Sequence, residues 1–453
     1  VFWQDFSKSV AKQVPIIAQS VIYGKQRKRV IMHAVPEPSR EIPMVVEADV
    51  VVVGGGPGGF CAAVGATREG ASVLLIERYG FLGGMATAGL VNPFMPYKIK
   101  GERLTSAVFN ELLSRLEDTG ALSVGGMIFD DEEMKIVLDQ MMQDHGVNLL
   151  LHSLFVGVEM DGRRIRRVQT VGKSGRIDVV GKLFVDSTGD GDLAAQAGAP
   201  IEIGRPKDGL CQPMTLCFRV GGVTGKPSAS QLHHELTEIF LAAKEAGEVD
   251  LPREDVLVFA TMVPHIFHFN TTRVVKRDAT STVDMTAAEL EGRRQAAKLF
   301  ELFKQRSPRF KQAYLAKMAA QIGVRESRRV MGEYVLTVDD VIEACKFADG
   351  IARSNYPVDI HNPMGEGTVI QRLPPGEFYE VPYRCLVPRN VDNLLVGSRC
   401  ISATHEAHSS LRIMPVVAGI GEAAGVAAAW AVQKGIMPRE VDGDGLKAAI
   451  FGK

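Results

Sequence analysis

The densest cluster of reactive side-chain types in the chain is Thr404-His-Glu-Ala-His-Ser-Ser-Leu-Arg412. An ordinary imidazole titrates at about pH 6.5, so His405 or His408 can donate or accept a proton near neutrality. Alternatively both simply hydrogen-bond a ligand or a loop. Three apart on a helix, and with Glu406 between them, they would share a face and suggest a metal. The spacing is not HExxH and no third ligand is evident, so no metal is expected. Arg412 can clamp a carboxylate through two N–H groups, face a cofactor, or close a salt bridge. Arg325, Arg328 and Arg329 cluster around Glu326 at an expected strand end. That density suits an anionic ligand, with Arg328 joining Arg412 in orienting it, unless Glu326 and Glu333 absorb the charge internally. Asp359, His361 and Tyr383 are further pocket candidates, and Thr337-Val-Asp-Asp340 reads as a helix cap.

The elements that must position these groups begin with Asp49–Arg78, DVVVVGGGPGGFCAAVGATREGASVLLIER. An apolar run enters a glycine cluster, a helix-compatible stretch follows, and a second apolar run ends on Glu77. Strand, glycine turn, helix and strand with a terminal acid form the dinucleotide-binding fingerprint. Gly54 permits the tight turn, Gly56 lets backbone approach a pyrophosphate, and Gly59 lets the helix pack on the sheet. Free N–H groups at the helix start favour phosphate. Glu77 is placed to accept from a ribose hydroxyl.

The chain has 453 residues, enough for two or three domains. A net charge of −1 provides no field to recruit nucleic acid or anionic membrane. The six cysteines form no CxxC, which argues against zinc and a vicinal disulfide and fits a reducing, cytoplasmic setting. No uninterrupted apolar stretch reaches the roughly 18 residues of a spanning helix.

Residues 1–45 read as an arm and a proline-rich linker. The arm has amphipathic positions Phe2, Trp3, Phe6, Val10, Val14 and Ile17 and a basic run at Lys25–Arg29, and would pack on this subunit or on a second copy. The spacing of Met134, Val137, Leu138, Met141 and Met142 predicts a helix over 131–145. Leu149 to Val158 reads as a strand, Arg163 to Val180 as a hairpin, and Lys182 to Val185 as a buried strand. Between 206 and 375 the pattern changes to short strands with a charged helix, Ala287 to Lys304. It returns at Asn393–Gly397 and in an alanine- and glycine-rich helix, Val416 to Gln433. The expected architecture is α/β: a Rossmann-like domain with a mixed or parallel sheet and helices (46–205 and 376–453) interrupted by an inserted α+β substrate domain (206–375). That layout favours FAD over NAD. No second fingerprint appears, so a separate NAD(P)H domain is not expected.

With these blocks assembled, the chain resembles the FAD-dependent oxidoreductases with a GGGPxG start and a GGMAT loop, distantly similar to the glutathione reductase and fumarate reductase flavoproteins. Phe81–Thr87, Val185–Asp192, Gly323–Tyr334 and Asn393–His405, running into Arg412–Pro415, carry the resemblance beyond the fingerprint. It implies non-covalent FAD, with Gly54, Gly56, Gly58 and Gly59 on the pyrophosphate, Glu77 on the ribose and Arg78 beside it. Gly83, Gly84, Met85 and Thr87 would run along the ribityl chain and ring, and Val156, Thr188 and Gly189 would close on adenine. Gly397 and Arg399 stand where relatives carry Gly-Asp, with Ser398-Arg399 replacing the acid. The helix entered at Pro415 and Gly421 would point its N-terminus at the flavin. The implied activity is hydride exchange between flavin N5 and a small anionic molecule, with His405 or His408 moving the proton. A flavin monooxygenase using NAD(P)H and O2, or an FAD-binding protein with a structural or assembly role, are the alternatives.

Overall fold

In the computed structural model the residues described are 45–452, so the expected arm and most of its linker lie outside them. The valine-rich strand Val45–Val53 (VVEADVVVV) is exposed where it begins and fully buried over its last four residues. β-Branched residues at both faces suit the centre of a parallel sheet, where helices cover each side. This strand lies between Val73–Ile76 and Gly175–Asp186, with Val50 opposite Val73 and Val53 opposite Asp186. Asn148–Leu150 extends the sheet beyond Val73–Ile76, and Leu394–Val396 joins the far end of Gly175–Asp186 in parallel. Leu154–Asp161 and Arg164–Gly172 complete it as antiparallel strands.

Two readings from sequence change here. The hairpin strand and the buried strand before Asp186 are one 12-residue strand, Gly175–Asp186. Its first half pairs with Arg164–Gly172 and its second half with Leu394–Val396. Conversely, Leu149 to Val158 is two strands, because the chain turns at Leu151–Ser153 with His152 in the left-handed region (φ 53°).

The helices Pro57–Arg68 and Met414–Lys434 pack against each other and the sheet. The second is long and apolar enough to cross a membrane, yet 89% of its apolar window is buried within the protein, so it is a core helix. Glycine makes the contact close. A Cβ on Gly425 would stand 2.0 Å from the carbonyl oxygen of Ala62, and one on Gly421 2.0 Å from that of Gly58. Alanine at position 425 gains about 1 kcal/mol of helix propensity. Against a backbone oxygen that cannot rotate away, overpacking costs about 1–3 kcal/mol or more and wins. Gly425→Ala is therefore expected to lower Tm by about 1–2 °C, at about 1 °C per kcal/mol for a chain of this length. Calorimetry showing an unchanged or raised Tm would mean that the helices separate without cost.

A second sheet, antiparallel, runs in the order Val258–Ala260, Phe267–Phe269, Phe218–Gly221, Tyr314–Met318. Ala229–Glu245 and Thr282–Arg306 back it, and Phe218, Phe240, Phe269, Phe303 and Phe310 form its own core. All of it falls between residues 206 and 375. Within the same span, Arg328–Val330 pairs with Ile201–Ile203, and Gly350–Ser354 pairs with Tyr379–Pro382 and packs on the Met414–Lys434 helix. The hairpin of Val358–His361 and Thr368–Gln371 follows.

Candidate active site

One large cavity opens at the C-terminal ends of Val45–Val53 and Val73–Ile76 and extends to the second sheet. At its first end, Gly54 (φ 103°) turns the chain out of the strand so sharply that a Cβ would stand 2.3 Å from the Ser187 carbonyl oxygen. The helix Pro57–Arg68 starts there with no side-chain cap. Gly56, Pro57 and Gly58 line the cavity, so the free N–H groups of that first turn meet the ligand space. Gly84 from the second glycine loop presses on Gly56, where a Cβ would come within 2.8 Å of the Gly56 Cα. Glu77 is 6% exposed. One carboxylate oxygen accepts from Gly55 N (2.7 Å) and the other from Tyr79 N (2.9 Å). Burial raises its pKa against those two hydrogen bonds. Uncapped N–H groups, a glycine cradle without room for Cβ atoms, and an acid with lone pairs on the cavity fit a dinucleotide.

Of the cofactor residues expected from sequence, Gly54, Gly56, Gly58, Glu77, Arg78, Gly84, Met85, Thr188, Gly189 and Arg399 line this cavity. The others stand behind its wall. A Cβ on Gly59 would lie 1.7 Å from the Gly54 carbonyl oxygen. Thr87 donates to Leu82 O (2.7 Å) and packs under Gly83. Gly397 donates to Asp186 O (2.9 Å). Val156 faces outward, and its neighbours Leu154 and Phe155 line the cavity instead. Gly421 is spent on the helix contact, while Met414 and Val417, on either side of Pro415, reach the wall. Arg399 pairs with Asp190 at 2.7 Å, and both line the cavity.

At the other end, Tyr356, Asp359 and His361 enter from the hairpin, Arg325 from the loop before Arg328–Val330, and Arg412 from the end of the helix His405–Leu411. Tyr356 donates to Asp359 Oδ2 (2.9 Å), and His361 Nε2 lies 3.6 Å from the same oxygen. Arg412 approaches Asp359 Oδ2 at 3.8 Å and donates to its carbonyl (3.2 Å). Burial works to raise the Asp359 carboxyl pKa, but His361, the Arg412 charge and the Tyr356 hydroxyl outweigh it and hold the pKa well below the usual range. Burial, then the Arg325 charge, pushes His361 down to about 3, so its ring is neutral. Burial and the adjacent carboxylate raise the Tyr356 phenol. Arg325 donates to Pro213 O (2.9 Å), to Thr215 Oγ1 and to Asn270 Oδ1 (3.4 Å). Burial, then Arg412 and Arg253, lowers its pKa to about 9.

Of the catalytic candidates read from sequence, Arg412 lines the cavity and His405, His408 and Arg328 do not. His405 is 3% exposed, with Nδ1 2.8 Å from Glu326 Oε1, the oxygen that also accepts from Arg329 Nη1 (2.7 Å). His408 is 1% exposed with Nδ1 unpartnered among the described residues, and burial, then nearby cations, keeps it neutral. The Glu326–Arg329 pair holds His405, while His408, one turn before Arg412, is enclosed in the core without reaching the cavity. Arg328 is engaged by Asp192 (2.7 Å) and the Asp190 carbonyl (3.1 Å). Tyr383 is buried, its hydroxyl donating to Pro438 O. No group of three or more potential metal ligands occurs among the described residues.

Sequence reasoning missed Tyr356, Asn270, Thr215 and Asp190. One signal was present: on a strand, residues two apart share a face, so Asp359 and His361 must point the same way. Asn270 sits just past a four-stranded sheet that the sequence does not announce, and nothing local marks it.

The model of the family described as FAD dependent oxidoreductase matches residues 49–450. Over 145 residues the chain is 31% identical to a fumarate reductase (cytochrome) of Shewanella frigidimarina. That stretch is 32% of this chain and 23% of the relative, so the chain spans less than a quarter of the relative it matches. Among solved structures it is similar to a geranylgeranyl bacteriochlorophyll reductase-like protein of Thermoplasma acidophilum (12% identical, TM-score 0.45, 86% of this chain and 80% of that one). It is likewise similar to p-nitrophenol 4-monooxygenase of Pseudomonas putida DLL-E4 (11% identical, TM-score 0.44, 86% and 82%). With a family match that runs nearly the whole length of the described fold, the chain belongs to the FAD dependent oxidoreductase family, and FAD is its cofactor.

Proposed function

We propose that this oxidoreductase exchanges a hydride with a small, anionic organic molecule bound between the Rossmann-like part and the second sheet. FAD, when bound, supplies the two-electron hydride chemistry. Gly56, Gly58 and the uncapped helix start hold its phosphates, and Glu77 its ribose. Arg325 binds the anionic group of the substrate, and Arg412 fixes Asp359. The proton that accompanies the hydride is handled by Tyr356, Asp359 and His361. It has a route to solvent through Thr368, whose hydroxyl is 3.2 Å from His361 Nδ1 and 3.2 Å from Glu254, a half-exposed carboxylate.

The observation that carries this reading is Arg325. It is a guanidinium on the cavity wall whose hydrogen-bond partners are all neutral, with no ion pair among the described residues. Buried charges are normally paired, so an anion is the partner this one calls for.

The test is anaerobic titration of the purified yellow holoprotein with hydroxy acids, amino acids, neutral amines and NAD(P)H. Bleaching by an acid but not by its amide supports the reading. Bleaching only by NAD(P)H, accelerated by a second compound and followed by oxygen consumption, would replace it with a monooxygenase. A flavin that nothing bleaches would point to a structural cofactor.

Glu77→Gln is expected to weaken FAD binding by about 10- to 100-fold, because each carboxylate oxygen now anchors a backbone N–H and a charge-assisted bond is worth about 1.5–3 kcal/mol. Equilibrium dialysis against free FAD measures it, and an unchanged Kd would remove Glu77 from the cofactor site.

A further inference from the structure

Around the far end of the cavity, four arginines, Arg253 and Arg273 buried and Arg325 and Arg412 half-buried, face three carboxylates. Arg253 pairs with Asp255 (3.2 Å), Arg273 with Glu254 (3.0 Å), and Arg412 with Asp359 (3.8 Å). Arg325 is left over. We infer that this end of the cavity takes one negative charge and no more, so that the substrate is a monocarboxylate seated on Arg325. The inference rests on the proposed anionic substrate and adds its charge.

The geometry of Arg325 supports a carboxylate. Its Nη1 donates to Pro213 O and Thr215 Oγ1, and its Nη2 to Asn270 Oδ1. These neutral acceptors orient the guanidinium without cancelling its charge. Nε–H and the second Nη2–H have no partner among the described residues. Two remaining donors on one planar group match the two oxygens of a carboxylate.

A second charge finds no free cation at this end, since Arg78, the other cavity arginine without a carboxylate partner among the described residues, stands at the ribose end against Gln321. Arg412 is already committed to Asp359, both by charge and through the carbonyl hydrogen bond. Arg253 and Arg273 are 3% and 1% exposed behind their own carboxylates. The ring of His361 stays neutral. A dicarboxylate would bring in one uncompensated charge, which weakens its binding unless the acid takes up a proton.

The experiment uses the FAD-loaded protein at pH 7 and reads the shift of its visible flavin band during titration with acetate, propionate, malonate and succinate. The expected result is saturable binding of the monocarboxylates, tighter than the dicarboxylates by tenfold or more. Arg325→Gln should abolish the response while FAD stays bound, and Arg325→Lys should weaken it by keeping the charge without the fork. Asp359→Asn frees Arg412 and should reverse the preference toward malonate or succinate. Equal or tighter dicarboxylate binding by the wild-type protein would overturn the single-charge inference and leave an anionic substrate standing. No response to any of the four anions would sink both. Loss of FAD from Arg325→Gln and Arg325→Lys alike would assign the arginine to the cofactor. The wild-type comparison holds even if a variant does not fold.

Discussion

Asp359→Asn is expected to lower kcat by about 10²–10⁴-fold, the range that a positioned proton-transfer group contributes, with FAD content unchanged. Asp359 is where three elements of the cavity meet. It accepts from Tyr356, faces His361 Nε2, and balances Arg412. Asparagine keeps the size but cannot carry a proton between the phenol and the imidazole. A purely structural role for Asp359 would show instead as lost FAD or a lowered Tm. The discriminating measurements are single-turnover flavin bleaching and its solvent deuterium isotope effect, made with the donor that the titration identifies. A slowed, more isotope-sensitive step in Asp359→Asn, partly restored in Asp359→Glu, supports proton handling. Bleaching at the wild-type rate would move that task elsewhere.

The second large effect is loss of stability in mild acid. His268 and His408 are buried, His361 is half-buried, and all three are neutral. Burial first, and then neighbouring arginines, lowers His268 and His361 to about 3 and His408 well below its ordinary value. In the unfolded chain each takes up a proton near pH 6.5. Below that pH the unfolded state binds more protons, so stability falls as pH falls, by about 1.4 kcal/mol per pH unit for each histidine. Asp186 works the other way. Burial raises its carboxyl to about 6, so between pH 6 and about 4 the folded state binds the extra proton. For these four groups together the slope there is two protons, about 2.7 kcal/mol per pH unit, and the raised carboxyls of Glu77, Asp139 and Asp192 reduce it further. Urea unfolding at pH 7, 6 and 5 checks it. His268→Phe should remove about one proton from the slope, because both ring nitrogens of His268 lack partners among the described residues and its ring already lies beside Phe259. A midpoint that does not move between pH 7 and 5 would show that these rings protonate in place.

The cofactor end was legible because its code is local. Strand, turn and helix between Val50 and Arg68 follow from a valine run, a glycine cluster and Pro57 at the helix start, all within one stretch of chain. The helix expected at 131–145 is Asp131–Asp144, started by Asp130, whose side chain accepts from Glu132 N and Glu133 N. Thr337 caps its helix as its sequence suggests. The merged strand Gly175–Asp186 was harder to read, since Gly181 looks like a break. There the absence of a side chain suits close packing, with a Cβ only 2.8 Å from Val51.

His405, His408 and Arg412 show the limit most plainly. Their nearness in sequence suggested one reactive group, but the helix buries both histidines and presents only its end in the direction of the cavity. Which direction meets the cavity depends on what packs against it. Glu326, 79 residues before His405, claims the histidine, while Arg412 at the helix end is free to reach Asp359. By itself the sequence determined the nucleotide-binding turn, the α/β class and the pool of arginines and acids. Only the tertiary structure decided that Arg325 is left, among the described residues, without a carboxylate at the far end of the cavity. Charge balance in a buried site is a sum over groups brought together by sheet register and helix packing, and those contacts span segments that share no local pattern.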